Sequence, residues 1–177
     1  MTNAFAAGGR REIGVLPSRT APDTLPPRRK RAKWMIDPFC HTSSIAVAVP
    51  AEAAFKIMAD GIEQGRWAWG SWQRREVEPG LFVGTSLFDG HETWVRLHVD
   101  AARLAVDYDV GRTREKMQFR NAARVLPGAL LGRDPASAVV TLMSWRLATQ
   151  SDDAWQQTCT VHEAELYLIR GLLERGR

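Results

Sequence analysis

The chain has 177 residues, with 24 Lys+Arg against 20 Asp+Glu and a sequence pI near 9.5. Its 45% hydrophobic and 25% charged residues fall in the ordinary globular range, which excludes a collagen, a long coiled coil or a wholly disordered chain, and the length allows one domain rather than two. Its two cysteines, Cys40 and Cys159, cannot build a disulfide framework or a four-ligand zinc site unaided, and no run approaches the roughly eighteen apolar residues of a membrane span, so a cytoplasmic protein without a transmembrane segment is expected.

Charge is concentrated at the start. Residues 1–33 hold eight basic residues against two acidic ones, a net +6, whereas the remainder holds sixteen against eighteen, a net −2. Gly8-Gly9, Pro22, Pro26 and Pro27 interrupt this stretch and apolar periodicity is slight, so residues 1–38 are read as a disordered basic tail ahead of a domain over 39–177. The run Arg28-Arg29-Lys30-Arg31 has the charge density to meet an acidic partner, but runs of like charge are usually solvated, and no nucleic-acid partner is expected. The apolar stretch around Phe5 is too short for a secretory signal and precedes the charges instead of following them. Met35 offers an alternative start of translation.

From there the elements follow in order. Thr42 to Val49 alternates, with Ile45, Val47 and Val49 on one face, and reads as a strand ended by Pro50. Ala51 to Asp60 reads as a short helix with Phe55 and Met58 three apart, and Ile62 to Trp67 as a further helical turn or two after Gly61. Strands are then expected over 72–78, 81–88, 91–99, 103–110, 117–126 and 138–147, separated by Pro79-Gly80, Asp89-Gly90 and Pro127-Gly128. Asp152 to Glu174 is the one long helical pattern, capped by Asp152 or Ser151 and followed by Gly176.

Asp89-Gly90, read as a two-residue hairpin turn, pairs Phe88 with His91, Gly84 with Val95 and Phe82 with Leu97. The next hairpin then sets Leu97 opposite Val106 and Arg96 opposite Asp107. One face carries Phe82, Phe88, Val95, Leu97, Leu104, Val106 and Tyr108, and the other Arg96, His98, Asp107 and Asp109. Met117, Phe119, Ala123 and Val125 continue the apolar face in the sixth strand. A sheet apolar on one side is antiparallel and covered on that side alone. The only long cover is the final helix, whose Trp155, Cys159, His162, Leu166, Ile169 and Leu173 form one stripe. The inferred class is α+β: a curved seven-stranded antiparallel sheet wrapped around a long C-terminal helix, with two short helices after the first strand.

This order resembles the START-like or SRPBCC superfamily, the helix-grip fold, which includes polyketide cyclase/dehydratase-like, lipid-transfer and allergen-like ligand carriers. The resemblance rests on Ile45-Ala-Val-Ala-Val-Pro-Ala-Glu-Ala-Ala-Phe at 45–55, Trp69-Gly-Ser-Trp at 69–72, Gly84-Thr-Ser-Leu-Phe-Asp-Gly at 84–90 and His162-Glu-Ala-Glu-Leu at 162–166. It covers residues 42 to 175 and implies a cavity between sheet and final helix that accepts a hydrophobic small molecule, lipid or polyketide-like.

Pockets of that kind are mostly apolar with a few convergent polar groups. The expected lining is Trp69, Phe82, Thr93, Val95, Tyr108, Asn121, Thr141, His162 and Leu166. His162 sits on the apolar stripe with Glu165 three residues on, near enough to orient the ring, so it is the candidate general acid/base, with Tyr108 or Asn121 polarising a carbonyl. The bland alternative for His162 is a core histidine with a satisfied ring. Trp67, Trp69 and Trp72 cluster near the implied cavity mouth, either stacking on a planar ligand or simply packing. A Cys159 nucleophile lacks an oxyanion hole, and Asp107 and Asp109 read as solvated charge. No metal is assigned, because His41, His91, His98 and His162 have no ligand spacing, and no cofactor is expected: phosphate loops, Gly-x-Ser-x-Gly elbows and Cys-x-x-Cys pairs are missing. Non-catalytic binding is slightly preferred to a cyclase/dehydratase-like enzyme, a basic-tailed protein-interaction module is the third reading, and a homodimer is compatible with each.

Overall fold

The computed structural model describes residues 37–175. The expected tail, apart from its last two residues, and the alternative start at Met35 lie outside the described residues. β1 (Cys40–Val47) is followed by α1 (Ala51–Ala59) and α2 (Gly61–Gln64). Six strands come next: β2 (Trp72–Glu78), β3 (Leu81–Thr85), β4 (Glu92–Asp100), β5 (Ala105–Gly111), β6 (Gln118–Pro127) and β7 (Ala138–Trp145). α3 (Asp152–Leu173) closes the chain. The seven strands form one antiparallel sheet in the order β1-β7-β6-β5-β4-β3-β2, against whose inner face α3 lies: the sheet-and-helix architecture read from the pattern.

Local chemistry explains the helices. The Pro50 carbonyl accepts from Ala53 and Ala54 N–H at 3.1 Å, and Ala51, Ala54, Phe55 and Met58 then form the buried face of α1. Asp60 caps α2, accepting from the N–H groups of Ile62 at 2.9 Å and Glu63 at 3.1 Å. Gly61 is required there, because a Cβ would stand 2.4 Å from the Phe82 ring. Ser151 caps α3 by accepting from Ala154 N–H at 3.3 Å, with Asp152 and Asp153 in the first turn and Arg170 in the last, as the helix dipole favours.

Two hairpin registers differ from the sequence reading, each by two residues. Phe82 pairs with Val95 and Gly84 with Thr93, because Asp89-Gly90 belongs to a six-residue loop, 86–91, and not to a two-residue turn. Within it Ser86 N–H donates to His91 O and Gly90, at φ 72°, donates to Ser86 O, while Asp89 pairs with Arg112. Phe88 therefore lies in the loop, 43% exposed, and not on the inner face. Likewise Leu97 pairs with Tyr108, and Arg96 stands opposite Asp109, not Asp107. Asp109 instead meets the His98 ring at 2.8 Å. A slip of two preserves facing, so Phe82, Val95, Val106 and Tyr108 are still buried.

The sixth strand departs further. Tyr108 pairs with Asn121 but Asp109 with Phe119, leaving Arg120 unmatched in a β-bulge. Phe119 consequently turns outward, 45% exposed, and packs on Trp145 at 5.1 Å between ring centroids. The inner space divides in two. Val47, Phe55, Met58, Val106, Val125, Val140, Leu166 and Ile169 fill one end as a solid core, and the other end stays open beneath the first half of α3. No helix of the described residues is long and apolar enough to cross a membrane.

Candidate functional site

The open end is a cavity of about 460 Å³ between the inner sheet face and α3. Its mouth carries the exposed residues Phe88, Arg112, Lys116 and Gln157, and its depths the buried Gln64, Trp67, Thr93, Val95, Tyr108, His162 and Glu165. Of the expected lining, Thr93, Val95, Tyr108, Asn121 and His162 come together here. The other four do not. Leu166 lies in the solid core, Phe82 packs under Gly61, and Trp69 contributes its backbone while Trp67 supplies the aromatic wall. Thr141 pairs with Ser44 and Arg124, and its hydroxyl bonds Ser44 Oγ at 2.8 Å on the sheet's other face. β7 points Ala138, Val140, Leu142 and Ser144 inward, so position 141 falls on the wrong parity.

A cross-strand row crosses the sheet beneath α3: His41, Ser144, Asn121, Tyr108 and Leu97, each paired with the next. The Ser144 hydroxyl, fully buried, donates to Asn121 Oδ1 at 2.6 Å and lies 3.0 Å from His162 Nδ1 and 3.3 Å from its Nε2. Ser144 has one proton and gives it to Asn121, so the ring nitrogen that bonds it does so as an N–H and the other ring nitrogen keeps the lone pair. Burial, with His41 and Arg120 nearby, lowers the His162 pKa to about 4 and keeps the ring neutral at pH 7.

Glu165 is the main residue the sequence reading misplaced: seen there only as a neighbour orienting the ring, it is itself a buried part of the cavity wall, 4% exposed. The Trp69 N–H donates to its Oε1 at 2.8 Å. Burial raises its pKa to about 8, against the opposing effects of that hydrogen bond and of Arg74. Its Oε2 comes within 4.0 Å of His162 Nε2, yet with the acid protonated and the imidazole neutral at pH 7 this is no ion pair. A signal was available in its spacing, since 162, 165, 166 and 169 share one helical stripe.

A second network fixes the floor. Met58 O accepts from Gln64 Nε2 at 2.5 Å and from the Tyr108 hydroxyl at 3.2 Å, and Gln64 Oε1 accepts from Arg74 Nη1. Arg74 Nε also donates to Ser71 O and Oγ, both at 3.2 Å. Burial lowers the Arg74 pKa to about 10, still charged at pH 7. Tyr108 differs from the expectation in chemistry: its proton is given to Met58 O and burial pushes its pKa up, so it is a structural donor before it is a carbonyl polariser. Cys159 is a free thiol whose pKa burial raises, against a nucleophilic role.

No protein-family model matches the chain, and no curated protein matches it in sequence. Solved structures do match in shape. A START superfamily protein from Mycobacterium smegmatis aligns at TM-score 0.59 and 11% identity, over 77% of this chain and 97% of its own. The aromatase/cyclase ZhuI of a Streptomyces species aligns at TM-score 0.55 and 16% identity, over 77% and 93%. The di-domain ARO/CYC BexL aligns at TM-score 0.60 and 16% identity, over 76% of this chain and 46% of its own. The chain therefore has the START-like helix-grip fold.

Proposed function

We propose that the chain binds a hydrophobic or aromatic small molecule, lipid or polyketide-like, between the sheet and α3. One observation carries this reading: a cavity of about 460 Å³ in which Trp67, Val95, Leu142 and Val161 surround a few convergent polar groups, His162, Glu165 and Asn121 among them. That volume lies within the roughly 300–1,000 Å³ of small-molecule sites. Both cysteines are free, which fits a cytoplasmic setting. Native mass spectrometry of protein freshly purified from its own cells tests the reading. One small apolar molecule carried per chain supports it. A bare chain that also refuses the neutral dye N-phenyl-1-naphthylamine in solution removes it.

A second reading is enzymatic and rests on His162 and Glu165 together. A carboxyl kept protonated beside an imidazole kept neutral supplies an acid and a base whose pKa values are pushed apart, the pattern of an acid–base site. At pH 7 an acid near 8 is well matched to donate a proton, whereas a base near 4 is weak. The proton-donor role therefore passes from His162, the candidate by sequence, to Glu165, with the unprotonated ring nitrogen of His162 accepting a hydrogen bond from the substrate. The likeness in fold to the aromatase/cyclases BexL and ZhuI supports polyketide cyclase/dehydratase-like chemistry as the version of this reading to test.

A further inference from the structure

The bulge in β6 does more than turn Phe119 outward. Continued alternation from the inward Asn121 would send Arg120 to the outer face; the shift of register between Tyr108 and Asp109 instead turns it into the cavity wall, where its charge acts on His162. Arg120 is partly buried, and its Nη2 donates to a neutral partner, Gln150 Oε1, at 3.2 Å. Among the described residues it enters no ion pair. Arg74 and Lys116 line the same cavity and are also absent from those ion pairs, while Arg112 is matched by Asp89. Glu165 is the one carboxyl among the described lining residues, and burial keeps it neutral at pH 7. Among the described residues the cavity wall thus carries positive charge that no ionised carboxylate of the lining balances. Drawing a cation out of water without an anion is costly, and an oxyanion brought to a guanidinium forms strong, charge-assisted hydrogen bonds.

We propose that the cavity takes an amphipathic ligand whose apolar body lies against Val95, Leu142 and Val161 and whose acidic group, a carboxylate or similar oxyanion, is held by Arg120. This rests on the ligand-binding reading above. Two dyes of one ring system separate the two claims: 8-anilinonaphthalene-1-sulfonate, an anion, and N-phenyl-1-naphthylamine, its neutral counterpart. The whole chain should bind the anion at least about ten-fold more tightly, the scale of one hydrogen bond to a charged group. Arg120→Gln should bring the two affinities together by weakening the anion alone, and Arg120→Lys, which keeps the charge, should restore part of the preference. Equal affinities in the unaltered chain would overturn the acidic-ligand claim and leave the binding reading standing. A preference that survives Arg120→Gln, or is lost only in Lys116→Gln, would overturn the assignment to Arg120. Failure of both dyes to bind would overturn both claims.

Discussion

The backbone N–H of Trp69 donates to Glu165 Oε1 at 2.8 Å, tying the short 3-10 turn before β2 to the middle of α3. This bond gives the buried acid a partner without ionising it: burial outweighs the hydrogen bond and the nearby Arg74, and the pKa settles at about 8 against an ordinary 4.5. Between those two values the folded chain holds a proton that the unfolded chain has released. Glu165 therefore contributes a loss of stability that grows as pH rises from about 4.5 to 8.

Glu165→Gln keeps the shape and the acceptor for Trp69 but cannot ionise. It should stabilise the protein by on the order of 2–4 kcal/mol at pH 7 relative to the unaltered chain, with the difference vanishing near pH 4. Denaturant unfolding of both proteins from pH 4 to 8.5 checks this. On the enzymatic reading the same variant should bind ligand but lose about 10²–10⁴-fold in turnover, the usual worth of a general acid.

His162 bears on the acid side. Its folded pKa of about 4 lies below the ordinary 6.5, so its contribution to stability is complete above pH 6.5 and is lost as pH falls toward 4. From about 4.5 to 6.5 the two residues oppose each other and their slopes cancel; above 6.5 Glu165 alone acts. Stability should thus fall between pH 6.5 and 8 in the unaltered chain. Without His162, as in His162→Gln, the decline should begin near pH 4.5, which the same unfolding series reads directly.

Ser144 holds His162 and Asn121 in one chain of hydrogen bonds from a fully buried position. Ser144→Ala removes the hydroxyl and leaves two polar groups short of a partner, which should cost about 1–3 kcal/mol. Ligand affinity should drop as well, because the ring loses the contact that orients it. Chemical denaturation and dye titration of the variant measure the two effects.

Gly84 sits where β3 passes close under the chain at Ser71 and Trp72. A Cβ there would stand 2.7 Å from the Trp72 carbonyl oxygen and 2.9 Å from the Ser71 carbonyl carbon, backbone atoms with little room to give. Gly84→Ala should therefore destabilise by about 1–3 kcal/mol, as overpacking does. A melting temperature within a degree of the unaltered chain would show that the strand can move aside.

Periodicity revealed the sheet, its covered face and its helix, because each strand must repeat every two residues and α3 must present one stripe. Small insertions were harder to see. The loop at 86–91 contains Asp89-Gly90 and so imitates a two-residue turn, although the pairing of Asp89 with Arg112 belongs to a wider loop. In β6 the pattern runs on through Phe119 as if unbroken; only the partner strand's register exposes the bulge that brings Arg120 inward. Glu165 is hidden for a different reason: an acidic residue on a helix is ordinarily solvated, and the backbone N–H that meets its carboxyl belongs to Trp69, nearly a hundred residues earlier.

The cavity itself is tested most directly at Val161, which lines it from α3. Titration of N-phenyl-1-naphthylamine into the unaltered chain should saturate at one site, and Val161→Trp, by filling that space, should weaken binding about ten-fold or more while the protein still unfolds cooperatively near its original temperature. Equal affinity in the two folded proteins would contradict a ligand site between the sheet and α3.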